Sequence, residues 1–247
     1  MTCIVAIETS TEHCSVALAH SGTLQTLRAE GVRQHAESVL PMLSRLLADA
    51  GLARSAIDVI GYGRGPGAFT GVRLAVAVAQ GLGFALDRPT LGVSSLQACA
   101  SAAARQVPTL ANQQIIAILD ARMGEFYVAA FERGATDAPA AASEECLLNP
   151  NALQAWFALR ADKRTIFVGG GLSVLAADMI VAYPQAHFFP EIRPDAEEIA
   201  KLTALGFAAN QAVSARFAQP TYVRDKVADT LIERAAKRAA AGVTTSI

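Results

Sequence analysis

Gly65-Pro-Gly-Ala-Phe-Thr-Gly-Val-Arg73, continued by Leu74-Ala-Val-Ala-Val-Ala-Gln-Gly-Leu-Gly-Phe-Ala-Leu86, is a glycine-rich turn running into a helix, and its reading decides the fold. Within that helix only Arg73 and Gln80 carry a charged or amide side chain, so almost no face suits water. Such a helix needs cover on two sides. The chain's own sheet supplies one, and the simplest cover for the other is a second polypeptide. That points to an obligate subunit over a self-sufficient enzyme.

A turn of this kind also suggests a phosphate loop, because glycines let backbone N–H groups approach an anion at a helix N-terminus. The nucleotide-binding pattern, however, places Lys and then Ser or Thr directly after its last glycine. Here Val72 and Arg73 follow Gly71. The alternative is a tight strand-to-helix connection with Thr70 near the N-cap.

Working outward, residues 3–7, 15–20 and 23–29 read as a meander of antiparallel strands. A helix over 36–50 follows, with Val39, Met42, Leu43, Leu46, Leu47 and Ala50 at helical spacing and Gly51 as its stop. A buried strand at 59–63, the apolar helix over 70–86, a strand at 90–93 and a helix over 95–104 complete the order βββαβα. The order restarts after residue 114, with strands at 115–120 and 126–132 and a third before residue 148. A helix over 150–159, a strand at 165–168 and a helix over 172–182 close the second unit. Further helices are expected over 195–209 and 230–241, with a frayed end at 244–247.

Ile4, Ile7, Glu8, Val16 and Ala17 align at one constant offset with Ile116, Leu119, Asp120, Val128 and Ala129, which suggests duplication. Two βββαβα units in tandem describe the α/β ribonuclease-H-like fold of actin, sugar kinases and chaperone ATPases. The expected division is a first lobe over 1–105 carrying a helix pair, a second over 106–222, and a segment over 223–247 that returns to the first.

Of 247 residues, 52% are hydrophobic and 17% charged, which excludes a disordered chain, and the net charge of -1 gives no overall field for nucleic acid or an anionic membrane. Cys3, Cys14, Cys99 and Cys146 form no paired motif and read as small hydrophobes. The apolar N-terminal stretch is too short for a secretion signal or membrane span, so the expected compartment is the cytoplasm.

The remaining motifs divide between chemistry and packing. Val168-Gly169-Gly170-Gly171 links a strand to a helix where this fold meets a nucleotide, though glycine there equally allows close strand–helix packing. Glu8 and Asp120 occupy corresponding turns that face phosphates and metal in ATPases of this fold, but Glu8 could instead accept hydrogen bonds within its own turn. His13, His20, His35 and His187 lack the i, i+4 spacing of a helix-borne zinc site, and His35 is read as fixing a turn. No nucleophile elbow supports a peptidase. Arg224, Lys226, Arg234, Lys237 and Arg238 read as a solvated face.

Five blocks in order resemble the bacterial TsaB (YeaZ) family: Ile4-Val-Ala-Ile-Glu-Thr-Ser-Thr, Gln34-His-Ala-Glu-Ser-Val-Leu-Pro, the Gly65–Arg73 turn, Leu119-Asp-Ala-Arg-Met-Gly-Glu-Phe-Tyr and Pro220-Thr-Tyr-Val-Arg. Ala68 stands where many relatives carry serine. The resemblance implies a role in making threonylcarbamoyladenosine in tRNA, as dimerisation partner of the catalytic paralogue TsaD, with the ATPase TsaE joining them. It implies tRNA contact only through the complex, no cofactor of its own and ATP or ADP at the subunit junction. The paralogue's metal-binding His-x-x-x-His aligns with Ser95 and Cys99, which cannot replace two imidazoles. The main alternative is an independent ATP-dependent kinase or ATPase using Glu8, Asp120 and Gly169–Gly171.

If the helices over 36–50 and 70–86 pack side by side, their outer apolar residues form a patch too large for water. Val39, Met42, Leu43, Leu46, Leu47, Gly71, Leu74, Ala75, Val78, Ala79 and Leu82 are the expected partner interface, and the patch should self-associate when the paralogue is absent. On this reading a charge at Leu46 or Val78 abolishes partner binding and leaves the monomer folded.

Overall fold

The structure, a computed structural model, describes residues 2–30, 35–106, 113–133, 138–162 and 164–224. The first unit runs β1 (Ile4–Glu8), β2 (His13–His20), β3 (Thr23–Glu30), α1 (His35–Asp49), β4 (Val59–Gly63), α2 (Phe69–Leu86), β5 (Thr90–Val93) and α3 (Ser95–Gln106). The second runs β6 (Gln114–Arg122), β7 (Glu125–Glu132), β8 (Ala140–Ala141), β9 (Cys146–Leu148), α4 (Pro150–Arg160), β10 (Ile166–Val168), α5 (Leu172–Ala182), β11 (His187–Phe189) and α6 (Ala196–Ala208). The expected helix over 230–241 and the end at 244–247 lie outside the described residues.

The first sheet has the order β3-β2-β1-β4-β5 and the second β11-β10-β6-β7-β8, with β9 also on β7. With β8 and β9 together holding the place of the third strand, the second sheet repeats the order of the first, which establishes the duplicated ribonuclease-H-like fold. The constant-offset alignment slips in one place. Ile7 pairs with Val16 in the first lobe, whereas Leu119 pairs with Tyr127 in the second. The second turn is one residue shorter, and one residue reverses the facing of a strand. Val16 therefore shares a core with Ile7, while Val128 faces away from Leu119.

α1 and α2 cover one face of the first sheet, burying Val39, Leu43, Leu46 and Leu47 from α1 and Ala75, Val76 and Ala79 from α2 against Val5, Ile7, Val16 and Ile60. The spacing of the α1 residues is the amphipathic stripe that the sequence implies. The helices that end each unit are exchanged. α3 follows β5 but packs on β6, β7 and β10, while α6 follows β11 but packs on β1, β2, β4 and β5. The two touch and form the layer between the sheets.

That exchange changes the division expected from sequence. Residues 196–208 belong to the first sheet's covering, as do Ala215 and Ala218, which lie against α2, so the return to the first lobe begins well before residue 223. Apolar periodicity gives α6 a buried face but not the sheet that receives it. β11 also escaped the sequence reading, because three residues before Pro190 offer too little pattern.

Candidate functional site

The β1–β2 turn plugs the start of α2. The Ala68 N–H donates to the Ser10 carbonyl at 2.7 Å, and the Thr9 hydroxyl donates to the Gly71 carbonyl at 2.7 Å. A Cβ on Gly71 would stand 1.9 Å from the Thr9 oxygen, so this glycine serves the chain's own packing. The helix begins at Phe69 with Ala68 as N-cap and no side-chain cap bond, and Thr70 is exposed, which corrects the expected capping role. A backbone carbonyl thus occupies the place of a phosphate in the loop reading.

Beneath that turn lies Glu8, fully buried. Its carboxylate accepts from the Ser10 N–H at 2.6 Å and from the Ser95 hydroxyl at 3.2 Å. A Cβ on Gly63 would fall 2.0 Å from Glu8 Oε2, so the chain leaves a gap shaped to this carboxylate. Burial raises the Glu8 pKa above its ordinary value, although the Ser10 and Ser95 hydrogen bonds oppose the shift. Ser95 and Cys99 are both fully buried, and Cys99 has its thiol pKa raised by burial and by the neighbouring Glu8. His35, also buried, donates from Nε2 to the Glu12 carbonyl at 3.2 Å, the turn-fixing role read from sequence.

An interlobe cavity of about 870 Å³ opens beside this turn, lined from the first lobe by Ser10, Glu12 and Phe69 and from the second by Asp120, Tyr127 and Gly170. Glu8 is not among the lining residues, so the two expected carboxylates do not converge. Asp120 instead accepts from the N–H of Arg122 at 2.8 Å and from its guanidinium at 3.2 Å, within its own hairpin. The glycine run behaves as a packing device. Gly169 has φ +113°, a Cβ on it would stand 2.2 Å from the Ile118 oxygen, and the N–H groups of Gly169 and Gly171 donate to Phe189 and Ile118 carbonyls. Gly170 lies under the guanidinium of Arg193, which also bonds Glu12 at 3.2 Å. The cavity's cations are largely committed: Arg122 to Asp120, Arg193 to Glu12, and Arg224 to Glu125 at 2.7 Å. Arg73 stacks 3.7 Å above the Phe69 ring and donates to the Tyr222 hydroxyl at 2.8 Å.

The outer face of the helix pair is built differently. The expected interface residues Val39, Leu43, Leu46, Leu47, Gly71, Ala75 and Ala79 all point inward and are buried by the chain itself. Met42, Leu74, Val78 and Leu82 are half-buried against the same core. Outward, α1 exposes Leu40 at 50% and α2 exposes Phe84 at 63%, together with Ala77, Gly81 and Ala85 on α2. Only 33% of α2 is buried, although by length and composition it is apolar enough to cross a membrane. Gly81 is the informative residue: a Cβ there meets nothing within 4 Å among the described residues. Glycine inside a helix costs roughly 1 kcal/mol relative to alanine, and no contact among the described residues requires it at this position. Sequence periodicity locates both helices but does not say which stripe faces the sheet, because Leu and Ala serve either role.

A profile for the family described as TsaD, tRNA N6-adenosine threonylcarbamoyltransferase, matches residues 26–231. The chain is 31% identical over 236 residues, covering 91% of it and 96% of the relative, to the tRNA threonylcarbamoyladenosine biosynthesis protein TsaB of Escherichia coli. It superimposes on YeaZ from Pseudomonas aeruginosa with a TM-score of 0.78 at 36% identity, over 90% of this chain and 100% of that one. A shorter stretch, 26% of the chain, is 40% identical to the tRNA N6-adenosine threonylcarbamoyltransferase of Herminiimonas arsenicoxydans, 19% of whose length it covers.

Proposed function

The chain belongs to the TsaB (YeaZ) family, and from that premise we propose that it is a non-catalytic subunit that binds and activates the paralogue TsaD for N6-threonylcarbamoyladenosine modification of tRNA. The observation that carries the reading is the outer face of α2, where Gly81, which meets no neighbour among the described residues, stands three residues before exposed Phe84. A helix of the paralogue laid along Ala77, Gly81 and Ala85 would approach closely and remove Phe84 from water. When the paralogue is absent, the same stripe pairs with a second copy as an isologous dimer. TsaE joins the assembled pair, a nucleotide belongs to the subunit junction, and tRNA is reached through the complex. Support for a non-catalytic role comes from the buried Glu8, the self-paired Asp120 and the committed glycine run.

Calorimetric titration tests both halves. The full chain is expected to bind purified TsaD, and the Phe84→Glu variant to lose at least a hundredfold in affinity while keeping its circular dichroism. Undiminished binding by that variant overturns the interface. Magnesium-ATP added to the chain alone is expected to give neither binding nor turnover; micromolar binding with hydrolysis would establish the kinase or ATPase reading instead.

A further inference from the structure

The motif Pro220-Thr-Tyr-Val-Arg224 has no part in the helix-pair interface, yet its side chains hold contacts in both lobes. Ala218, just before it, is buried in the core formed by α1, α2 and the first sheet. Val223, near its end, packs against the core of the second sheet. Between them the Thr221 N–H donates to the Arg64 carbonyl at 2.8 Å, and the Arg64 guanidinium donates to the Thr221 hydroxyl at 2.5 Å. Arg64 follows β4 of the first lobe, and the same guanidinium forms a two-pronged pair with Glu145 of the second lobe at 2.9 and 3.1 Å. Glu145 is 15% exposed and Arg64 30%, so the pair is shielded from salt far better than a surface bridge. Tyr222 accepts from Arg73 on α2, while Arg224 donates to the Ala121 carbonyl at 3.1 Å and pairs with Glu125, both in the second lobe.

We propose that residues 220–224 form an interlobe latch, with Arg64 as its catch, that holds the cleft at one opening and fixes α2 relative to the second sheet. The α3–α6 layer already joins the lobes, and rotation about that layer is the motion the latch would oppose. Arg64 opposes the rotation because it bonds Thr221 and Glu145 at once, and opening the lobes separates Glu145 from it. A bidentate guanidinium–carboxylate pair fixes distance and orientation together, which suits this role better than a single contact. The neighbouring Arg193–Glu12 pair acts in the same sense across the cavity.

Spin labels at Ala53→Cys and Leu159→Cys, one in each lobe, report the opening by double electron–electron resonance in the full chain. The partly exposed Cys146 is replaced by serine; Cys3, Cys14 and Cys99 are buried. The labelled parent is expected to show one narrow distance distribution. Arg64→Met and Glu145→Gln should each at least double its width. Arg28→Gln, which breaks the Arg28–Asp195 pair between β3 and the start of α6, should leave it unchanged. Thr221→Val removes one hydroxyl and serves if either charge variant fails to fold; it should broaden the distribution by at least half. Unchanged width in the folded variants overturns the latch, as does equal broadening in the Arg28 control.

Discussion

Replacing Gly81 separates the two demands on α2. A methyl group at this position meets nothing within 4 Å among the described residues, so Gly81→Ala is expected to carry no packing penalty in the isolated protein. Alanine gains about 0.8–1.0 kcal/mol over glycine in a helix interior. For a chain of this size that corresponds to a melting temperature roughly 2–4 °C higher. Gly83, two residues on, provides the opposite control, because a Cβ there would lie 2.6 Å from the Ala215 Cβ, and Gly83→Ala should destabilise. Gly81→Leu extends the probe to the partner. Overpacking a close helix contact costs about 1–3 kcal/mol, roughly a 5- to 150-fold loss of affinity. Differential scanning calorimetry on dilute protein, below the concentration of self-association, measures the first effect, and titration with TsaD the second. A lower melting temperature for Gly81→Ala, or a Gly81→Leu affinity within twofold of the parent, would refute the reasoning.

Two further perturbations follow from burial. Leu46→Glu, expected from the sequence to spare the monomer, should instead unfold it or cost more than about 3 kcal/mol, because Leu46 is 2% exposed and faces the sheet; a native circular dichroism melt would contradict this. Glu8 has its pKa raised by burial, so the stability it contributes is complete below its ordinary value of 4.5 and is lost as pH rises through the folded-state value. Glu8→Gln should therefore gain on the parent as pH rises above about 4.5, and urea melts with a pH-independent difference would exclude it.

Much of the fold was legible because its signals are local. The buried strand Ile4–Glu8, the stripe on α1 and the glycine turn before α2 each announce themselves within twenty residues. Two features depend on distant parts of the chain and left no such mark. The exchange of α3 and α6 is decided by which sheet each apolar face meets, and the latch joins Arg64 to Glu145 and Thr221 across the fold. The outer face of α2 falls between these cases. Small residues on α2 promise close approach by another helix, yet Gly71 and Gly83 answer to Thr9 and Ala215 of the chain itself, and of the α2 glycines Gly81 alone meets no neighbour among the described residues.

Reconstituted tRNA modification puts the central claim to its most direct test. Purified TsaD, TsaE, threonylcarbamoyl-adenylate synthase and tRNA are combined with this chain, without it, or with its Phe84→Glu variant, and threonylcarbamoyladenosine is quantified by mass spectrometry. Product is expected only with the unaltered chain, at a yield at least tenfold above the other two mixtures. A full yield with the folded Phe84→Glu variant, or product from this chain and tRNA without TsaD, would contradict the account.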